Sequence, residues 1–398
     1  METRVPRPSL RRIERVETVQ DGERVLILRD PMNVAESFAL DAEFAPVLDL
    51  RDGSRTVLQV RQSLRMRGVL DLPVDALSDF VDNLRAEGWL DDDVFRERWA
   101  AMHADFLDED PRVARFAGLL YPADADTLGA AYRNIFGESP RTRVDSPVVG
   151  VLVPHGPLDL VGETLARTLT DLPRAEDLEC VVILGTDHGT GLLPYAAAHR
   201  GFDTPLGPIP AHAPILDALD RRVEWAFREE LRHRSAHSIE LAAVTLRALY
   251  GDAVPPIVPV LCGPGVLRTR DPEAAERFSA TLEGLLDGHR VLVWGSAELS
   301  HGGVAYGRPA LDRSGVASLE DRDRECLDDL VRGRLAALSK KCRADHPQGR
   351  PSGGAVMHTL RQLLPDARAN LAAYRAVEIA TDDPSPSIAG LAGVRFLR

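Results

Sequence analysis

A chain of 398 residues, 44% hydrophobic and 27% charged, is long enough for two cores and has the balance of an ordinary globular protein. Its net charge of −13 argues against a general nucleic-acid surface, which needs clustered positive charge. No apolar run reaches the roughly 18–20 residues that cross a bilayer, and the basic start METRVPRPSLRRIERVE lacks the apolar stretch of a secretory signal, so a cytoplasmic protein with no membrane partner is expected. Cys180, Cys262, Cys326 and Cys342 are scattered without a C-x-x-C pair and read as reduced thiols.

A first domain is expected over residues 10–99. Residues 23–29 and 36–40 read as strands, the first carrying Val25, Leu26, Ile27 and Leu28 in a row. Asp52-Gly53 marks a turn. Two amphipathic helices follow, over 56–67 with Val57, Val60 and Leu64 on one face, and over 74–87 with Leu77, Phe80, Val81 and Leu84. Strands followed by helices make a small winged-helix-like α+β unit. An acidic helix-like segment near 99–109 is expected to join it to the second domain.

The second domain, expected over 112–398, alternates short apolar runs with helical stretches, the pattern of a three-layer α/β fold with a mostly parallel sheet covered on both faces. Four runs, 148–153, 181–184, 257–261 and 291–294, are rich in β-branched residues and have the length of buried strands. Pro154-His155-Gly156 follows the first, Gly185-Thr186-Asp187-His188-Gly189 the second, Cys262-Gly263 the third, and Gly295-Ser296-Ala297-Glu298-Leu299-Ser300-His301 the fourth. Ligands of parallel α/β sheets bind where the loops leave the carboxyl ends of the strands. Three of the four strands therefore deliver a histidine to one edge.

A further pair, His237 and Glu240, opens a helix over 239–250; three residues apart, they share a face if both lie in the first turn. Glu240 can there orient a histidine or accept a proton. His199, His212, His233, His289 and His346 have no such context and read as surface or loop residues. Imidazoles on adjacent loops with a carboxylate nearby suit a divalent transition metal. No GxGxxG follows the first strand, and no GxxxxGK[ST] or G-x-S-x-G is present, so dinucleotide, P-loop and serine-hydrolase readings lack support.

These motifs resemble the Memo family (AmmeMemoRadiSam system protein B), itself akin to class III extradiol dioxygenases. The resemblance rests on Phe116-Ala117-Gly118-Leu119-Leu120-Tyr121-Pro122, Val153-Pro154-His155-Gly156, Leu184-Gly185-Thr186-Asp187-His188, Thr204-Pro205-Leu206-Gly207, His237-Ser238-Ile239-Glu240 and Ser296-Ala297-Glu298-Leu299-Ser300-His301. It implies His155 and His188 as metal ligands; the third donor is expected to be Glu298, which lies on a strand-end loop like both histidines, with Cys342 and His346 as alternatives. His237, Glu240, Glu298 and His301 are implied as acid/base residues, and Asp187 and Gln348 as pocket residues. Two departures stand out. Gln348-Gly349 occupies the place of the family's cysteine-glycine, and Glu298 that of an aspartate. Two histidines and one carboxylate favour Fe(II), with zinc or copper as alternatives. The resemblance implies either a non-haem metal-dependent oxidoreductase acting on a small molecule, or an accessory to a radical-enzyme system; the alternative is a non-catalytic scaffold that binds a peptide or protein. The first domain, through LDLRDGSRTVLQV and VDNLRAEGWL, resembles the PqqD-like peptide-binding domains.

Overall fold

The computed structural model describes residues 7–398 except 12, 21–22, 31, 33, 50–51, 138–140, 190–192, 269–271, 345, 347 and 382–383. The chain divides into two compact units, Met1–Asp108 and Glu109–Arg398. Among the described residues no helix is long and apolar enough to cross a membrane.

The first unit contains an antiparallel sheet of β1 (Glu14–Gln20), β2 (Glu23–Arg29) and β3 (Phe38–Asp41), in that order. The sequence reading missed β1, whose only apolar residues are Val16 and Val19. Helices α1 (Val57–Met66), α2 (Val74–Ala86) and α3 (Asp93–Asp108) follow. Thr56 starts α1 through a capping box, its hydroxyl accepting from Gln59 N while the Gln59 amide oxygen accepts from Thr56 N. The segment expected as a junction is the end of α3, and α3 belongs to the first unit. Arg98 ties it back by donating to the carbonyls of Ala86 and Glu87.

The second unit is built on a mixed sheet with a parallel centre. Its strands are β4 (Val148–Val153), β5 (Cys180–Thr186), β6 (Tyr195–Ala197), β7 (Ile257–Cys262), β8 (Val291–Ser296), β9 (His301–Gly302), β10 (Arg368–Glu378) and β11 (Ile388–Leu397). Their order is β9-β11-β4-β8-β5-β7-β6, with β10 also paired to β11. The four strands expected from the sequence are the parallel centre, β4-β8-β5-β7. They are buried on both faces because side chains alternate across a strand. In β5, Cys180, Val182 and Leu184 point into one core while Val181 and Ile183 point into the other. Helices α4 (Ala125–Phe136), α5 (Leu158–Thr168) and α6 (His237–Tyr250) cover the second face, and α7 (Pro272–Leu286), α8 (Arg313–Val331) and α9 (Gly354–Leu363) cover the first. The hairpin β10–β11 went unread in the sequence. Its strands hold Ala and Gly where strong strand formers would mark them, as in IAGLAGVRFL.

The register sets up the site. Ser296 pairs with Val153 on one side and with Gly185 on the other, so β4, β8 and β5 end side by side. Everything that follows them leaves the sheet at one edge. Gly185 lets α6 start there, because a Cβ on it would lie 2.5 Å from Ile239 Cδ1 and 2.7 Å from Ser238 Oγ.

Candidate metal centre

His155 follows β4, His188 follows β5, and His237 is the first residue of α6. One ring nitrogen from each lies within 4.8 Å of the others, which is the only such group of three metal-competent side chains among the described residues. His155 Nε2 and His188 Nε2 are 2.9 Å apart. The His188 and His237 rings stack at 4.7 Å, and His155 meets both edge-on. Burial, reinforced by the neighbouring imidazoles, holds His155 well below the usual histidine range, and crowding by His237 and His301 adds to the desolvation that lowers His188. Burial also lowers His237, against the opposing pull of Glu298 and Glu240. All three rings are neutral near pH 7, with lone pairs for a metal. An arrangement of neutral nitrogen donors at one sheet edge fits a late first-row divalent ion.

The carboxylate expected beside His155 and His188 is not part of the group. Glu298 lies outside the cluster: its Oε2 is 3.9 Å from His155 Nε2 but 3.0 Å from His301 Nε2. His237, expected as an acid/base group, is the third member of the group. Glu298 and His301 instead form their own pair beside the cluster, with the Tyr306 ring 4.7 Å from His301. Burial and the Glu298 carboxylate push the Tyr306 phenol up to about 12, so it stays a neutral donor.

These groups line one end of a cavity of about 300 Å³, bordered by His155, His237, Glu298, His301 and Tyr306. Its other walls are apolar and include Phe116, Leu120, Leu160, Val377 and Leu391. Leu119, 73% exposed, stands among the lining residues.

Three expected site residues have other tasks. Glu240 is fully buried and both its oxygens are engaged: Arg112 pairs with it, and it accepts from Arg115 N at 3.1 Å, Phe116 N at 2.8 Å and the Tyr121 hydroxyl at 2.6 Å. A carboxylate so saturated has no lone pair to offer a reacting proton. It anchors the segment from Arg112 to Tyr121 on α6. Asp187 accepts from Gly189 N at 2.9 Å and pairs with Arg232, so it shapes the His188 loop from behind. Gln348 is not among the residues lining the histidine cavity. Its amide oxygen accepts from Gly303 N and its amide nitrogen donates to the Pro309 carbonyl, both at 2.9 Å. The segment that reaches the Glu298 loop is Ser352-Gly353, whose backbone amides donate to the carbonyls of Leu299 and Glu298. Replacing Gln348 by Ala should cost about 1–3 kcal/mol by orphaning the Gly303 amide and the Pro309 carbonyl, and leave divalent-metal affinity unchanged; urea unfolding and metal titration read the two effects separately.

His233 was read as a surface or loop residue and is fully buried, its Nε2 facing the Ala196 carbonyl at 2.9 Å. Asp323, on α8, had no place in the sequence reading. It is buried and accepts from the Ser300 amide and hydroxyl, at 3.1 and 2.6 Å, and from the Tyr374 hydroxyl at 3.2 Å, so it holds the loop between Glu298 and His301. Burial raises its carboxyl from 3.8 to about 6. The folded form keeps a proton that the unfolded chain has lost, so this stabilising contribution is complete below pH 3.8 and disappears as pH rises through about 6. Relative to wild type, Asp323→Asn should therefore gain about 3 kcal/mol between pH 4 and pH 8. A difference between the two urea midpoints that does not change with pH would contradict this.

A family profile described as Memo-like protein matches residues 112–390. MEMO1 family proteins are similar to the chain: one from Aquifex aeolicus is 21% identical over 93% of this chain and 95% of its own length. One from Thermus thermophilus is 27% identical over 81% and 94%, and one from Thermotoga neapolitana is 30% identical over 54% and 79%. With the profile covering well over half of the chain and every residue of the histidine cluster, this chain belongs to the Memo family.

Proposed function

We propose that the second unit is a metalloprotein that holds one divalent transition ion on His155, His188 and His237 and receives a small molecule in the adjoining cavity. The observation that carries this reading is the convergence of three neutral imidazoles, from three separate segments, with donor atoms within 4.8 Å of one another. His155 is buried, and three imidazoles drawn together without a ligand have only weak mutual contacts to replace lost solvation. The preference for Fe(II) drawn from a carboxylate ligand loses its ground, since the cluster is all nitrogen. Zn(II), Cu(II) and Fe(II) are the ions to titrate.

A bound ion of this kind supplies Lewis acidity and coordination positions for a substrate oxygen. The chain's own residues add the rest. Glu298 and His301 form a close pair, 3.0 Å apart, that could take or return a proton at the cavity wall. Tyr306 offers a neutral donor, and the apolar walls bind the body of a substrate and exclude water. The reaction class that fits best is that of a non-haem metal-dependent oxidoreductase, by analogy with the extradiol dioxygenases to which the motif resemblance points; such an analogy does not fix a reaction. A second reading is a non-catalytic Memo scaffold that binds a peptide or protein partner, favoured by the exposed Leu119 at the cavity. In either reading the first unit is proposed as a PqqD-like peptide reader that links the protein to a radical-enzyme system.

Elemental analysis of protein purified without tag or chelator, followed by calorimetric titration with Zn(II) and, anaerobically, Fe(II), tests the proposal. One ion per chain is the expected result. No binding of either ion, or binding unaffected by His155→Ala, removes the metal reading and leaves the scaffold.

A further inference from the structure

Beneath the three histidines lies a closed ring of three buried hydroxyls. The Thr186 hydroxyl donates to the Ser296 carbonyl at 3.0 Å, the Ser296 hydroxyl to the Ser238 carbonyl at 2.7 Å, and the Ser238 hydroxyl to the Thr186 carbonyl at 2.7 Å. Each acceptor is a carbonyl, so each hydroxyl must be the donor and the direction around the ring is fixed. All three residues are at most 3% exposed, so no competing water interrupts it. The ring joins the end of β5, the end of β8 and the start of α6. His188 stands two residues after Thr186 and His237 one before Ser238.

The third histidine is held by the ring itself. Ser296 Oγ lies 3.2 Å from His155 Nδ1. Its single proton is already given to the Ser238 carbonyl, so towards His155 it can only accept. Nδ1 therefore carries the imidazole proton, and Nε2, the nitrogen 2.9 Å from His188 Nε2, presents its lone pair to the cluster.

We infer that Ser296 is a positioning residue: through the ring it selects the tautomer of His155 and brings the three histidine-bearing segments to a common point. The inference rests on the proposed metal centre for its purpose, but not for its geometry. A ligating histidine is oriented and made more basic by the partner of its other nitrogen, and loss of such a partner typically lowers metal affinity about 10–100-fold. Thr186 and Ser238 act one step further away, on the backbone positions of Ser296 and of His237.

The test is long-range proton–nitrogen NMR on metal-free, ¹⁵N-histidine-labelled protein at neutral pH, with His155→Gln to assign the signals, beside Co(II) or Zn(II) titration. In wild type His155 should show a protonated Nδ1 and a pyridine-like Nε2. Ser296→Ala should mix the two tautomers and lower affinity about 10–100-fold. Thr186→Val, which opens the ring but keeps the bond to His155, should retain the tautomer and lose less affinity. Wild-type protein with His155 protonated on Nε2 overturns the inference even if Ser296→Ala fails to fold, and so does a Ser296→Ala protein with unchanged tautomer and affinity. If wild type binds neither ion yet shows the Nδ1 proton, the metal reading fails and the positioning of His155 by Ser296 stands.

Discussion

Replacing His237 by Ala should lower divalent-metal affinity by more than about 100-fold, beyond what loss of an outer-shell partner costs, whereas Glu298→Gln should change it by less than about tenfold. The contrast follows from position. His237 offers a nitrogen inside the 4.8 Å group, while Glu298 approaches His155 only to 3.9 Å and turns its carboxylate to His301. Removing one of three donors leaves two neutral nitrogens, a partial site. Removing the Glu298 charge alters only the field around a complete one. The same difference appears in stability. An ion at 100 times its dissociation constant adds about 2.7 kcal/mol to the folded state, so wild type and Glu298→Gln should melt later with metal and His237→Ala should not. Equal affinity in all three proteins would remove His237 from the centre. Loss in Glu298→Gln alone would restore the carboxylate as third ligand.

Much of this centre was legible because two periodicities are easy to read. Buried parallel strands appear as short β-branched runs, and the glycines after them mark loops at the ligand-binding edge. That places His155, His188 and His301 at one side of the sheet from the sequence alone. Which histidine completes the cluster was not legible, since it depends on how far α6 slides toward the sheet. That distance is set by Gly185, a residue that looked like loop punctuation and whose missing side chain admits Ser238 and Ile239. Gln348 illustrates the opposite failure. A linear match put it in the pocket, yet the chain between α8 and α9 brings Ser352-Gly353, four residues on, to the Glu298 backbone. Asp323 could not be found from its neighbours in sequence at all. Its partners Ser300 and Tyr374 are 23 and 51 residues away, and nothing local distinguishes it from the surface acids of the same helix.

Glu240→Gln should cost about 3–5 kcal/mol of stability, the usual penalty for stranding one partner of a buried ion pair. Both side chains of the Arg112–Glu240 pair are fully buried. Burial alone would drive Arg112 toward its neutral form, and Glu240 is the charge that opposes this. The remaining guanidinium nitrogens donate to the carbonyls of His233 and Arg234, so Arg112 cannot swing to solvent when its partner is neutralised without orphaning those carbonyls too. Glutamine preserves the shape of glutamate but not its charge, and its amide nitrogen must face donors that expect an acceptor, whether the Phe116 amide and the Tyr121 hydroxyl or the Arg115 amide and Arg112. Arg112→Met should be similarly damaging alone. The two changes together should cost less than their sum, since the double variant no longer buries an unpaired charge. Thermal and urea unfolding of the four proteins complete the cycle. The outcome also decides what Glu240 does. A proton-transfer residue at the cavity would tolerate glutamine with little loss of stability and fail in turnover. A residue that secures the segment from Arg112 to Tyr121 against α6 should instead loosen Phe116 and Leu120, two walls of the cavity, and weaken small-molecule binding while His155, His188 and His237 still take up metal.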